Sequence, residues 1–325
     1  SPATFECSLD GQPSESCTNP HVYPSLADGP HQFAVRAIDG LGNVDASDAV
    51  ANWTVDTTAP DTSIVSGPNA LANSTQADFT FSASEPGVTY ECRLDGGAFA
   101  PCSNPATFSG LIEGPHVLDV RALDALSNAD PSPASYGWTI DVTPPDTAIV
   151  SSPDPLATSS AAMFAFDATE GASTFECRLD GGAYAPCTSP VNYTGLADGP
   201  HQFDVRASDA AGNADASPAS FSWTIDTVAP DTSFVTTPAP VLATNAATFA
   251  FTATESPVTF QCSLDGAPFQ PCFSPMSLSD LSEGSHEFRV AATDPAGNDD
   301  VTPATFTFSV DTLPPDTVID VAPDV

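Results

Sequence analysis

Hydrophobic and polar positions alternate with period two along most of the chain. Phe164, Phe166 and Ala168 share one parity, as do Phe175, Cys177 and Leu179, then Phe203, Val205 and Ala207, then Phe221, Trp223 and Ile225. Asp167, Glu176, Arg178, Gln202, Asp204, Arg206, Ser222 and Thr224 fill the alternate places. Successive side chains of a strand point to opposite faces, so the pattern predicts strands with one buried and one wet face. Turn formers separate the runs: Asp180-Gly181-Gly182, Asp198-Gly199-Pro200 and Gly212-Asn213. No stretch carries a useful 3.6-residue period, and 33 prolines work against helices.

The same pattern returns every 85 residues with no insertion or deletion. Asp61-Thr62 recurs as Asp146-Thr147, Asp231-Thr232 and Asp316-Thr317. A period of this length exceeds a solenoid repeat and suits one small domain with its own core. About seven short strands per period predict an all-β fold, a tandem array of Ig-like or fibronectin-III-like β-sandwich domains. The expected boundaries are a partial repeat at 1–60 lacking its first strands, complete repeats at 61–145, 146–230 and 231–315, and the start of a further repeat at 316–325. The chain therefore reads as an excerpt of a longer one.

Eight cysteines fall in four pairs with constant spacing: Cys7/Cys17, Cys92/Cys102, Cys177/Cys187 and Cys262/Cys272. With no C-x-x-C and no second pair converging within a period, zinc fits poorly, and local disulfides formed in an oxidising compartment are predicted. The first cysteine of each pair shares the inward parity of its strand and the second lies past the next turn, so each bond should staple a hairpin or its adjoining loop. Six Lys+Arg against 42 Asp+Glu give a net charge of −36, which argues against nucleic acid or an anionic membrane surface as partner. Every basic side chain is arginine, so Lys–Asn isopeptide crosslinks are excluded within this sequence.

No hydrolase elbow, zinc-protease helix motif or phosphate loop occurs, and a small repeated sandwich offers little room for an asymmetric pocket; the reading is non-enzymatic. His31, His116, His201 and His286 stand where a tyrosine corner often sits, which predicts a ring bonded to nearby backbone. Trp53, Trp138 and Trp223, with Phe308 in the last repeat, share core parity. Glu6/Arg36, Glu91/Arg121 and Glu176/Arg206 are outward-facing and would pair if their strands are neighbours.

The candidate metal ligands are acidic. An Asp-x-x-x-Asn-x-Asp pattern supplies Asp39, Asn43, Asp45; Asp124, Asn128, Asp130; Asp209, Asn213, Asp215; and Asp294, Asn298, Asp300. The junctions add Asp56 and Asp61, Asp141 and Asp146, Asp226 and Asp231, Asp311 and Asp316. Calcium takes six to eight oxygen ligands, and a loop combined with a junction could gather several. The competing reading is a turn: Gly-Asn supplies positive φ and the nearby Asp caps its own backbone. Asn52-Trp-Thr54, Asn73-Ser-Thr75 and Asn192-Tyr-Thr194 match glycosylation acceptors but hold no common place in the repeat.

F-E-C-x-L-D-G, then C-x-x-P, then L-x-D/E-G-x-H-x-F-x-V-R-A-x-D-x-x-G-N-x-D, closing on W-T-x-D-x-x-x-P-D-T, resembles the Ig-like repeats of very large bacterial secreted and cell-surface proteins. Departures are Leu118 for Phe, Ser127 for Gly, Ser285 for Pro and Phe308 for Trp. The resemblance implies a stalk, spacer or adhesin extender, with calcium held between domains in some relatives. Proline-bearing joints such as Asp56-Thr-Thr-Ala-Pro60-Asp61 leave little free linker and predict a semi-rigid array touching mainly its own neighbouring repeats. Two alternatives stand beside the extender: a filament subunit lending strand residues Val318, Ile319 and Val321 to the incomplete end of another copy, and a carbohydrate-binding adhesion array, which would need exposed aromatic rows.

Overall fold

The computed structural model describes residues 3–318. Among them every regular element is a strand, and no helix is long and apolar enough to cross a membrane. The chain divides into two compact units between Thr143 and Pro144.

The first unit opens with β1 (Thr4–Leu9), β2 (Glu15–Cys17), β3 (Gly29–Ile38) and β4 (Ala49–Val55), hydrogen-bonded in the order β2-β1-β3-β4. There follow β5 (Thr62–Ser66), β6 (Leu71–Ala72), β7 (Ala77–Ala83), β8 (Thr89–Leu94), β9 (Ala100–Cys102), β10 (Ala106–Phe108), β11 (Gly114–Leu123) and β12 (Ala134–Ile140). These eight strands form two sheets, β10-β7-β5 and β6-β12-β11-β8-β9. The second unit contains the same 3+5 arrangement twice, over 147–225 and 232–310. The fold is the expected all-β tandem array of Ig-like sandwiches, and every ladder joins strands of the same period.

The strand beyond the expected seven arises because the opening segment changes sheet. β5 pairs antiparallel with β7 and shifts register between Ile64 and Ser66. Gly67-Pro68 follows, and proline removes the donor that would continue the ladder. The chain then crosses, and β6 pairs parallel with β12. Gly67 is required by close approach, since a Cβ there would stand 2.7 Å from the Phe79 ring. The Tyr136 hydroxyl donates to the Pro68 carbonyl at 2.6 Å and secures the crossing.

The core follows the alternation. Phe79 and Phe81 on β7, Leu118, Val120 and Ala122 on β11, and Trp138 and Ile140 on β12 are buried between the sheets. Phe164, Phe203, Trp223 and Phe249, Phe288, Phe308 repeat this in the second unit. In 3–55 only one sheet is present, so Trp53 stays half-buried, as expected for a face without its cover. Of the residues considered for strand lending, Val318 is exposed, while Ile319 and Val321 lie outside the described residues.

All four predicted disulfides are formed, Cys7–Cys17, Cys92–Cys102, Cys177–Cys187 and Cys262–Cys272, with Cα atoms 5.7–5.8 Å apart. Each crosses a hairpin such as β1–β2. As expected, the second cysteine lies past the turn and the bond staples a hairpin: Cys17, Cys102, Cys187 and Cys272 each end a three-residue strand that pairs with the strand of the first cysteine. The four bridges are not equivalent. Cys17, Cys102 and Cys187 are half-buried, whereas Cys272 is buried and joins the core cluster of Cys262, Leu281 and Phe288. Met276 packs against that cluster where the two preceding repeats carry the shorter Ala106 and Val191, so the last bridge has more apolar cover than a strict repeat would supply.

The short strand that carries the second cysteine is a sheet edge, and it contains Pro101, Pro186 or Pro271 in the repeats that have both sheets. Glu6 lies opposite Arg36, Glu91 opposite Arg121 and Glu176 opposite Arg206, each paired at 2.7–2.8 Å. Arg93 and Arg121 also lie over the Phe99 ring at 4.6 and 4.3 Å, and Arg178 and Arg206 over Tyr184 at the same distances. These half-buried ion pairs stabilise little, about 1 kcal/mol at most; the Phe99 or Tyr184 ring under its two arginines pins the hairpin loop to the sheet.

Candidate functional site: the acidic joints

Where one repeat passes into the next, the loop between β11 and β12 meets the end of β4. Asp124 folds this loop by accepting the Leu126 and Asn128 N–H groups on Oδ1 and the Asn128 side-chain amide on Oδ2. The left-handed residue is Ser127, at φ 71°, where the other repeats place Gly42, Gly212 and Gly297. Asn128 also donates through Nδ2 to the Asp56 carbonyl at 2.8 Å, so a loop of one repeat holds the backbone that leaves its predecessor. In the second unit Asn298 donates likewise to Asp226 and to Asp294. The turn reading of the acidic motif therefore describes part of what Asp124 and Asp294 do.

The same geometry gathers carboxylates. Asp56, Glu85 and Asp124 each offer an oxygen within 4.8 Å of the others, and so do Asp226, Glu255 and Asp294. Burial, followed by the charges of Asp226, Asp294 and Asp198, pushes the Glu255 carboxyl above its ordinary value. Burial also pushes Asp124 and Asp294 up, but the Asn128 or Asn298 side chain and the loop N–H groups outweigh it and hold both below the ordinary value.

The remaining sequence candidates make local hydrogen bonds of their own. Asp39 and Asp209 build the same Asx loop with Asn43 and Asn213. Asp130 turns into its own sandwich, where Oδ1 accepts the Ser132 N–H and Oδ2 the Thr62 N–H at 2.8 Å. Asp215 and Asp300 receive Thr147 and Thr232 in the same way, and Asp45 accepts the Ser47 N–H. Asp61, Asp146 and Asp231 join their strands through backbone N–H groups, to Ser84, Thr169 and Thr254. Asp141 accepts the Thr143 N–H, and Asp311 donates its own N–H to the Leu242 carbonyl. Asp316 is exposed.

A second set of contacts closes the joint from the other side. Asp28, in the turn before β3, accepts the Thr57 N–H and hydroxyl on Oδ1 and the Thr58 hydroxyl on Oδ2, at 2.8–3.0 Å. Glu113 holds Thr143, Asp198 holds Thr227, and Glu283 holds Thr312. Sequence reasoning missed this acid and missed Glu85 and Glu255. The signal was recurrence, since an acid returns at 28, 113, 198 and 283, and a glutamate at 85, 170 and 255.

Asp130 and Asp215 carry a prediction. Burial favours their neutral form, but the Thr62 or Thr147 and Ser132 or Ser217 donors outweigh it and hold both carboxyls below 3.8. A depressed folded-state pKa contributes stability that is complete above the ordinary value and is lost as pH falls through the folded one. The share of thermal stability that these two carboxylates supply should be constant at neutral pH and drop below about pH 4. Asp215→Ala should cost about 1.5–3 kcal/mol at pH 7 and flatten part of that acid limb. An unchanged limb in the variant would assign it to other groups.

No protein-family model and no curated protein matches the sequence. Among solved structures, the chain is similar to a Ca2+-stabilized adhesin with which an Antarctic bacterium binds ice, at 17% identity and TM-score 0.38 over 95% of this chain and 90% of that one. It is also similar to a tetra-tandem repeat from the extending region of a large adhesion protein, at 18% identity and TM-score 0.35 over 96% and 92%. Fibronectin(III)-like modules of Clostridium thermocellum CbhA align at 14% identity and TM-score 0.33 over 51% and 94%.

Proposed function

We propose that this chain is a non-enzymatic structural segment of an extracellular fibre or cell-surface adhesin. Its disulfide-stapled repeats set distance, and its joints are stiffened by a divalent cation. The observation that carries the reading is the Asn128 side chain, which donates both to Asp124 in its own loop and to the Asp56 carbonyl of the preceding repeat. With Thr57 and Thr58 held by Asp28 as well, little of the connection is left to swivel. Four bonded cysteine pairs support an oxidising, extracellular setting.

The cation is argued from the donor set. Three carboxylates with no sulfur or imidazole among them suit a hard ion, and calcium tolerates the irregular geometry of loop ligands better than magnesium. A cation would relieve the crowding that raises Glu255. Asp56, Glu85 and Asp124 would hold it at one joint, and Asp226, Glu255 and Asp294 at another, with Asp56 and Asp226 on one repeat and the other two on the next.

Melting in calcium and in excess EDTA tests this. At a hundredfold excess over Kd, calcium should add about 2.7 kcal/mol per site, a melting shift of several degrees. Glu85→Gln with Glu255→Gln should remove most of that shift. Equal melting in calcium and EDTA would eliminate the cation. A contour length that fails to grow in proportion to repeat number, in atomic force images of shortened and full arrays, would eliminate the extender.

A further inference from the structure

Four histidines share one environment that the extender reading does not use. His31 Nδ1 faces Asp10 Oδ2 at 2.7 Å and Nε2 faces the Ala27 carbonyl at 2.7 Å. His116 meets Asp95 and the Ile112 carbonyl, His201 meets Asp180 and the Ala197 carbonyl, and His286 meets Asp265 and the Ser282 carbonyl, all at 2.7–2.9 Å. Both ring nitrogens thus face acceptors. A neutral imidazole carries one N–H and satisfies one of them; the imidazolium satisfies both. Each ring also lies against an aromatic side chain, Trp53, Trp138, Trp223 or Phe308, at 5.3–5.8 Å, which favours a cation further.

The carbonyl that receives Nε2 belongs to the turn whose next residue clamps the joint. Ala27 precedes Asp28, which holds Thr57 and Thr58; Ala197 precedes Asp198, which holds Thr227. We propose that His31 and His201 are proton-operated latches on the joints: as imidazolium they seat the turn that grips the departing strand, and on losing the proton they release it. In the neutral form an N–H is kept toward the aspartate, and the Nε2 lone pair is left facing the carbonyl oxygen. The two repel, the turn lifts, and the Asp28 or Asp198 clamp loosens with it.

The charged groups around the latch are few. Asp10 or Asp180 faces Nδ1 from the first hairpin turn, Asp28 or Asp198 stands on the turn itself, where the charge of Asp198 also reaches Glu255, and the tryptophan strand lays its ring against the imidazole. Arg178 with Asp204 and Arg206 with Glu176 pair on the opposite face of the sheet. The Ala27 or Ala197 carbonyl, followed by the aspartate, raises both histidines above 6.5. The grip is therefore complete below that ordinary value and is lost as pH rises through the higher folded-state one.

The test is amide exchange of the full chain across pH 6–9, corrected for the intrinsic base-catalysed rate. Protection of the Thr57 and Thr227 amides should fall on the order of tenfold as the histidines titrate, the worth of one charge-assisted hydrogen bond. Strand amides such as Val205 should hold and so report an intact fold. His31→Gln with His201→Gln should give low, pH-independent protection at both threonines. Asp180→Asn should move the Thr227 midpoint to lower pH and leave Thr57 unmoved, which a merely structural histidine would not produce. Constant protection through the histidine titration, or a fall that persists in the glutamine variant, would overturn the proposal.

Discussion

Replacing Phe249 by alanine is expected to melt one repeat of this array while the others stay folded. Phe249 is 0% exposed and its ring meets Phe234, Phe288, Phe306 and Phe308, with Phe288 stacked at 4.3 Å. Truncating a buried phenylalanine costs about 3–5 kcal/mol, transfer and cavity together. A domain of this length has only about 4–13 kcal/mol in total. Four rings meet at this point, and none can fill the void without leaving its own partners. Calorimetry should show a new low-temperature transition carrying one repeat's share of the enthalpy. If the whole endotherm moves as a single peak instead, the repeats are coupled far more tightly than their separate cores imply.

Removing one disulfide comes next in size. Each bridge closes a separation of 10 residues, and in the chain-entropy account a loop this short contributes about 3 kcal/mol. Cys177→Ala with Cys187→Ala should lower the stability of that repeat by about this amount. Under tension the same bridge has a second readout. The hairpin of Thr174–Leu179 with Ala185–Cys187 is short-circuited by the bond, so its loop cannot extend when the repeat unfolds. Single-molecule pulling should give a shorter unfolding step in the oxidised chain, and reductant should lengthen each step by about 29 Å, ~3.5 Å for each released residue less the 5.8 Å that the bridge already spans. Steps of equal length with and without reductant would mean that the bridge is not formed in solution.

Much of this structure was legible because period-two alternation reports burial directly. Phe164/Phe166, Phe203/Val205 and Trp223/Ile225 were legible as inward-facing from parity alone, and the hairpin staple and the outward Glu–Arg pairs were legible too. The deeper seat of Cys272 was not legible, because spacing alone makes all four bridges alike and the difference comes from what packs around them. The sheet switch after Ser66 was less visible too: a proline marks an interruption without saying that the chain resumes in the other sheet. At the joints, Asp124 and Asn128 could be read as a loop because an Asx turn is local. Glu85 joins them only through packing between repeats, so its spacing from either carries no motif. Asp180 was likewise read as a turn residue, which its φ of 52° bears out. Only the register of Thr174–Leu179 against Gly199–Ser208 brings its carboxylate to His201.

The prolines in the short edge strands bear on crowding. Chains displayed side by side present the same sheet edge over and over, at high local concentration and in matching register. An open edge of that kind recruits its neighbour's backbone, and association between identical sandwiches ends in clumps. Pro101, Pro186 and Pro271 each remove an N–H from that edge, the strand is three residues long, and the bridge ties it to its own hairpin. The opposite edge of the same sheet, β6 in the second repeat, is two residues long. Neither edge of the five-stranded sheet offers a template for a foreign strand, so that sheet does not draw side-by-side chains into one another.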